Sequence, residues 1–70
     1  MSALEQLGNR IREKRHVLEL SQEQLAEKCN FDRTYISLIE RGKRNPSYKN
    51  LLKLAKGLSI SVSELTAGLE

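Results

Sequence analysis

Apolar residues recur along this chain at intervals of three and four, which is the period of an amphipathic α-helix. The first series consists of Leu4, Leu7, Ile11 and Leu18. A later series consists of Leu51, Leu52, Leu54, Ala55 and Leu58, all expected to face inward. Shorter series lie between these two and after the second. The pattern predicts an all-α fold with five short helices around one core.

Serine residues mark where most of these helices begin. Ser2, Ser21 and Ser61 are each followed three residues later by Glu or Gln, the pattern of a capping box. Ser47 precedes the fourth helix, and Asp32 is the expected cap of the third. These signals predict helices over 3–18, 22–29, 33–41, 48–58 and 62–66.

Two residues near the ends of helices give further expectations. Asn30 stands where a helix would end in the left-handed conformation, which asparagine tolerates. Gly57 falls inside the fourth predicted helix, where glycine costs up to about 1 kcal/mol relative to alanine. We therefore expect this end of the domain to be locally less stable.

The chain has 70 residues and one cysteine, which indicates a single domain, 1–70, without an internal disulfide or a cysteine-based metal site. Cys29 lies at an apolar helical position, so we interpret it as a small buried hydrophobe. No apolar run approaches the length of a membrane span, and we expect no signal peptide. We expect a cytoplasmic protein with no membrane partner.

The net charge of +3 is unevenly distributed. Residues 29–57 contain seven Lys and Arg side chains against only Asp32 and Glu40, a local net charge of +5. Basic stretches of this kind attract phosphate backbones and accelerate encounter with nucleic acid.

Residues 21–41 form two short helical patterns joined by a tight turn at Phe31. The outer face of the second pattern carries Arg33, Thr34, Ser37 and Arg41. Side chains of these types hydrogen-bond to phosphates and to base edges. The layout is that of a helix-turn-helix, in which the second helix enters the major groove.

On these residues the chain resembles the lambda-repressor-like helix-turn-helix family over essentially its whole length. The resemblance rests on Arg15 and on residues 20–26, 36–37 and 39–46. A narrower resemblance, to the controller proteins of restriction-modification systems, rests on 32–37 followed by 39–41. The resemblance implies a DNA-binding transcriptional regulator, autoregulatory and acting as a homodimer on a two-fold operator.

The predicted DNA-contacting residues fall into two groups. Arg33, Thr34 and Ser37 are the candidates for reading bases, because the first turns of the recognition helix reach deepest into the groove. The candidates for backbone contact are Gln22, Tyr35, Lys43, Arg44, Asn45, Ser47, Tyr48 and Lys49. Tyr35 has the equal alternative of covering the edge of the core, and Ser37 that of simple exposure. Arg10, Arg12 and Lys14 are interpreted as solvated.

Two further sets are expected to be structural. The resemblance implies an internal salt bridge between Arg15 and Glu40 that positions the third helix. Ile60, Leu65 and Leu69, in the region 58–70, are candidates for the dimer interface. Their alternative is core packing within one chain.

Other functions stay open at this point. A phage-type repressor or an antitoxin-like regulator would share the DNA-binding residues, and a protein-interaction module would share only the fold. No set of nucleophile, base and orienting acid suggests an enzyme. We expect no metal, cofactor or small-molecule ligand, and control through the concentration of the protein itself. RNA polymerase is a further candidate partner.

Overall fold

The computed structural model describes residues 1–69, so Glu70, the last residue of the predicted domain and dimer region, lies outside them. The helices are α1 (Ala3–Val17), α2 (Gln22–Cys29), α3 (Arg33–Glu40), α4 (Tyr48–Gly57) and α5 (Val62–Thr66). The all-α prediction is confirmed. Three helices end one residue earlier than predicted, because the next residue is the cap in each case: Leu18, Arg41 and Leu58. Among residues 1–69, no helix is long and apolar enough to cross a membrane.

The predicted serine caps are present. In each of the three capping boxes, the serine hydroxyl accepts a hydrogen bond from a backbone N–H and the Glu or Gln side chain accepts one in return. Ser47 accepts from the backbone N–H of Asn50 at 3.2 Å. The expectation for Asp32 was wrong in one respect: its backbone is extended as a cap requires, but its side chain makes no capping hydrogen bond. The Asp32 side chain is exposed instead.

The core lies where all five helices meet. Its fully enclosed large side chains are Ile11, Leu25, Ile36, Ile39, Leu54, Leu58 and Leu65. Cys29 is also buried, as predicted, and its thiol donates to the carbonyl oxygen of Lys53 at 3.4 Å. Leu52 was predicted to face inward, but it is 47% exposed. It lies about 200° around α4 from Leu54, which occupies the core face.

Gly57 was expected only to lower the stability of α4, but in the structure it also has a role in helix packing. A Cβ added at Gly57 would lie 2.5 Å from the sulfur of Cys29, so the missing side chain is what lets α4 approach α2 this closely. Gly8 does the same between α1 and α3. Its Cβ would lie 2.5 Å from the carbonyl oxygens of both Ile39 and Glu40.

Among residues 1–69, three residues other than glycine adopt positive φ angles. Asn30 has φ 60° and ends α2 in the left-handed conformation, as predicted. Ser59 also has φ 60°, and Glu19 has φ 57°. Serine and glutamate lack the tolerance of asparagine for this region, so both positions carry local backbone strain.

Candidate nucleic-acid interface

Helix α3 is held by its inner face and presents its outer face to solvent. Ile36 and Ile39 are 0% and 1% exposed and fix α3 against the core. Arg33 and Thr34, in the first turn, are exposed, and Ser37 one turn later is partly buried. The structure therefore places the three predicted base-reading residues on one short helix, with Arg33 and Thr34 exposed to solvent.

A buried ion pair joins α3 to α1. The Arg15 Nε donates to Glu40 Oε2 at 2.7 Å, and Arg15 Nη2 donates to Oε1 at 2.9 Å. Arg15 and Glu40 are 8% and 2% exposed. A two-point contact between the planar guanidinium and the carboxylate fixes both distance and orientation. The Arg15 guanidinium also donates to the carbonyl oxygen of Leu20 at 2.9 Å, which adds the α1–α2 connection to the same network.

The electrostatics of this pair favour its charged form. Burial raises the pKa of Glu40, but the hydrogen bonds from Arg15 and Gln22 and the charges of Arg15 and Arg12 outweigh burial, and the pKa lies below its usual value. The hydrogen bonds with Glu40 raise the pKa of Arg15 in turn. Glu40 therefore remains ionised at neutral pH.

The side chain of Gln22, a predicted DNA-backbone contact, has a partner within the domain. Its Nε2 donates to Glu40 Oε1 at 3.2 Å, so the side-chain amide turns toward the buried carboxylate. A hydrogen bond to a charged carboxylate is stronger than one to a neutral acceptor, so the half-exposed Gln22 amide bonds to Glu40 in preference to water. The first backbone N–H groups of α2 still mark the positive end of that helix.

Arg10 and Arg12 are not simply solvated, as the sequence suggested. Arg12 Nη2 donates to the carbonyl oxygen of Glu40 at 3.2 Å, at the C-terminal end of α3. Arg10 Nη1 donates to the carbonyl oxygens of Leu65 and Ala67 at 3.2 and 2.6 Å. Cations at the C-terminal ends of helices satisfy free carbonyl groups and complement the helix dipole. Both partners lie far away in the sequence, so no local signal could have identified them.

Tyr35 joins α3 to α4 through Asn50, a residue with no predicted role. The Tyr35 hydroxyl accepts a hydrogen bond from Asn50 Nδ2 at 2.9 Å. The ring of Phe31 meets that of Tyr35 edge to face, with centroids 4.8 Å apart. The guanidinium carbon of Arg44 lies 5.3 Å from the Tyr35 ring centroid. Tyr35 thus covers the edge of the core and holds Arg44 over its ring by a cation–π contact.

The remaining predicted backbone-contacting residues follow α3 directly. They are Lys43, Arg44, Asn45, Ser47, Tyr48 and Lys49, and all six are exposed. Tyr48 is 67% exposed, which is high for an aromatic side chain. The loop and the first turn of α4 thus present cations and hydrogen-bond donors next to the outer face of α3.

One predicted dimer contact is wrong. Leu65 is 0% exposed and belongs to the core, so it has no surface to offer a second chain. Ile60 and Leu69 are only partly buried against the core and keep some accessible surface.

Comparison with known proteins agrees with this geometry. A family model described as helix-turn-helix matches residues 11–65. The chain belongs to the helix-turn-helix family. The matched segment contains the α1–α3 ion pair, the whole of α2 to α4 and nearly all of α5.

Similar proteins within this family include restriction-modification controllers. The chain is 45% identical over 64 residues to the control protein C.MunI of Mycoplasma sp, covering 90% of this chain and 86% of that protein. The crystal structure of the restriction-modification controller protein C.AhdI from Aeromonas hydrophila matches with a TM-score of 0.86 at 48% identity. The match covers 89% of this chain and 94% of that one.

A further match is to a controller in a complex with DNA. The restriction-modification controller protein C.Esp1396I, solved as a tetramer with its natural 35 base-pair operator, matches with a TM-score of 0.83 at 41% identity. The match covers 90% of this chain and 83% of that one.

Proposed function

We propose that this protein is a sequence-specific, DNA-binding transcriptional regulator of the restriction-modification controller type. The observation that carries the proposal is the exposed first turn of α3, with Arg33 and Thr34, on a helix locked in place by the buried Arg15–Glu40 pair. The similarity to C.AhdI and C.MunI supports the controller assignment.

Specificity comes from the outer face of α3. Arg33 donates two parallel hydrogen bonds to the O6 and N7 atoms of a guanine, which contributes about 1–3 kcal/mol of discrimination. The Thr34 methyl and hydroxyl groups contact the neighbouring base pair. Ser37, partly buried one turn later, adds a contact to a base or to the backbone.

Affinity comes from the backbone contacts of the loop after α3 and of α4. Lys43, Arg44 and Lys49 neutralise phosphates, while Asn45, Ser47 and Tyr48 donate uncharged hydrogen bonds. Tyr35 contributes by holding Arg44 in position as well as through its own hydroxyl. Gln22 binds a phosphate with its backbone N–H, because its side-chain amide donates a hydrogen bond to Glu40.

One α3 contacts too few base pairs to select a site in a genome. The regulator therefore acts as a homodimer on a two-fold operator, with half-sites about one helical turn apart. Ile60 and the accessible part of Leu69 form the apolar contact between the two chains. The patch is small, so dimer formation depends on protein concentration, which suits a protein that controls its own synthesis.

Fluorescence anisotropy tests the proposal. We would first select the preferred site from random duplexes and include DNA from upstream of the protein's own gene. We expect binding to that site at least about a hundredfold tighter than to a scrambled duplex, with affinity falling steeply with salt. Equal affinity for both duplexes, at a concentration where the protein is dimeric, would contradict sequence-specific regulation. The absence of any DNA binding at low salt would favour a protein-interaction module.

A further inference from the structure

A second basic surface lies between the C-terminal halves of α2 and α4. A groove of about 350 Å³ is lined there by Lys28, Cys29, Asn30, Lys53, Lys56 and Gly57. We call it the lysine groove. Its floor is the tight contact between Cys29 and Gly57, and three lysines form its rim. The convergence of Lys53 and Lys56 with Lys28 follows from the packing of α4 on α2.

The positive charge of this groove is not neutralised within the domain. Both ion pairs found among residues 1–69 belong to Glu40, so none of the three lysines has a carboxylate within ion-pair distance there. No Asp or Glu lines the groove. Burial raises the pKa of the Cys29 thiol, and the nearby positive charges of Lys28 and Lys53 partly oppose that rise.

The lysine groove is continuous with the candidate DNA interface. The Lys53 ammonium lies 5.4 Å from the ring centroid of Phe31, in the turn between α2 and α3. Phe31 contacts Tyr35, and Tyr35 carries Arg44. Two aromatic rings in contact, with a cation at each end, thus connect the loop after α3, across the turn, to the groove.

We infer that the lysine groove binds the phosphate backbone of DNA that flanks the bases contacted by α3. This inference rests on the proposed function. Unpaired lysines suit phosphate because an ammonium binds it as a point charge without demanding a fixed geometry. The contacts add affinity on long DNA without adding sequence information. A site of this kind makes affinity depend on the length of the flanking duplex.

The size of the domain sets the DNA lengths for a test. Its longest dimension is 28 Å, and about ten base pairs at roughly 3.4 Å each exceed that distance. We would compare a duplex that ends at the selected site with one that carries about ten further base pairs on each side. Wild-type protein should bind the longer duplex more tightly.

The variants are Lys28→Gln, Lys56→Gln and the double variant, with Lys14→Gln as the matched control on α1. Lys28 and Lys56 are exposed, so glutamine is tolerated at both, and thermal unfolding verifies the fold. Each lost phosphate contact should lower the salt slope by about 0.9 and weaken binding about eightfold at 0.1 M salt. The loss should occur on the longer duplex only, and Lys14→Gln should behave as wild type.

Two results would overturn the inference while leaving the proposed function intact. In the first, the double variant loses no more affinity for the longer duplex than Lys14→Gln does, while wild type still prefers its site to scrambled DNA. In the second, labelled polyglutamate binds wild type but not the double variant, and DNA binding is unchanged. That result would assign the lysine groove to an acidic protein. If wild type does not prefer its site at all, the proposed function fails and the inference fails with it.

Discussion

Replacing Glu40 by alanine should destabilise the domain severely. The change removes the acceptor of two Arg15 hydrogen bonds and of the Gln22 amide. It leaves Arg15, a residue that is 8% exposed, without its counter-ion. Breaking a buried ion pair from one side typically costs about 3–5 kcal/mol. Arg15 keeps its bond to the Leu20 carbonyl oxygen, so we expect a loss of about 3–4 kcal/mol.

That loss is a large part of the total. A domain of 70 residues has a free energy of unfolding of roughly 3.5–10 kcal/mol. Urea unfolding followed by circular dichroism at 222 nm measures the change. With a slope of about 1 kcal/mol per molar urea, the midpoint should fall by about 3–4 M.

The control is Glu27→Ala, which removes an exposed carboxylate from α2 and should change stability by less than about 0.5 kcal/mol. The double change Arg15→Met with Glu40→Leu removes both charges together and should recover most of the stability. A Glu40→Ala protein within 1 kcal/mol of wild type would refute the assignment of this pair as the anchor of α3.

Three further predictions concern stability. Gly57→Ala should lower the free energy of unfolding by about 1–3 kcal/mol, because the new Cβ would lie 2.5 Å from the Cys29 sulfur. Adding Cys29→Ala should restore part of that loss. Ser59→Gly should raise the free energy of unfolding by about 0.5–1 kcal/mol, since φ is 60° at that position. Stability should also fall as the pH drops below the unfolded pKa of a glutamate, about 4.3, because the pKa of Glu40 is lower in the folded state.

Thermal and urea unfolding check these predictions, each with its own control. The control for Ser59→Gly is Ser63→Gly, which makes the same substitution inside α5. It should lower the free energy of unfolding by about 0.5 kcal/mol. A Gly57→Ala protein as stable as wild type would contradict the close approach of α2 and α4. The pH-dependent loss should be smaller in Glu40→Gln than in wild type, measured between pH 5 and pH 3. An equal loss in both proteins would assign the acid sensitivity to other carboxylates.

The local features of this fold were predictable from the sequence. The three capping boxes and the left-handed Asn30 depend on residues within one turn of each other, and their residue types suffice to indicate them. The long-range contacts were not predictable in the same way. Arg10 bonds to carbonyl groups 55 and 57 residues away, and Asn50 bonds to a tyrosine 15 residues away. Such partners depend on how the helices pack.

The packing of the helices also decides between residue roles that the sequence pattern alone does not distinguish. Leu65 is apolar, so its residue type suits a dimer interface as well as a core. Its complete burial follows from the position of α5 against α1 and α4. Gly57 has a poor helix propensity, and only the distance to the Cys29 sulfur reveals why a larger residue would not fit. In the same way, the hydrogen bond from the Gln22 side chain to Glu40 depends on where α3 ends.

The central claim is that the outer face of α3 reads bases, and Arg33→Ala tests it most directly. Wild type and variant are titrated by fluorescence anisotropy against the selected site and against all single base-pair substitutions of one half-site. We expect the variant to lose discrimination at one guanine position by about 1–3 kcal/mol and to keep the base preferences elsewhere. An unchanged preference at every position, or a uniform loss at all of them, would contradict base reading by Arg33.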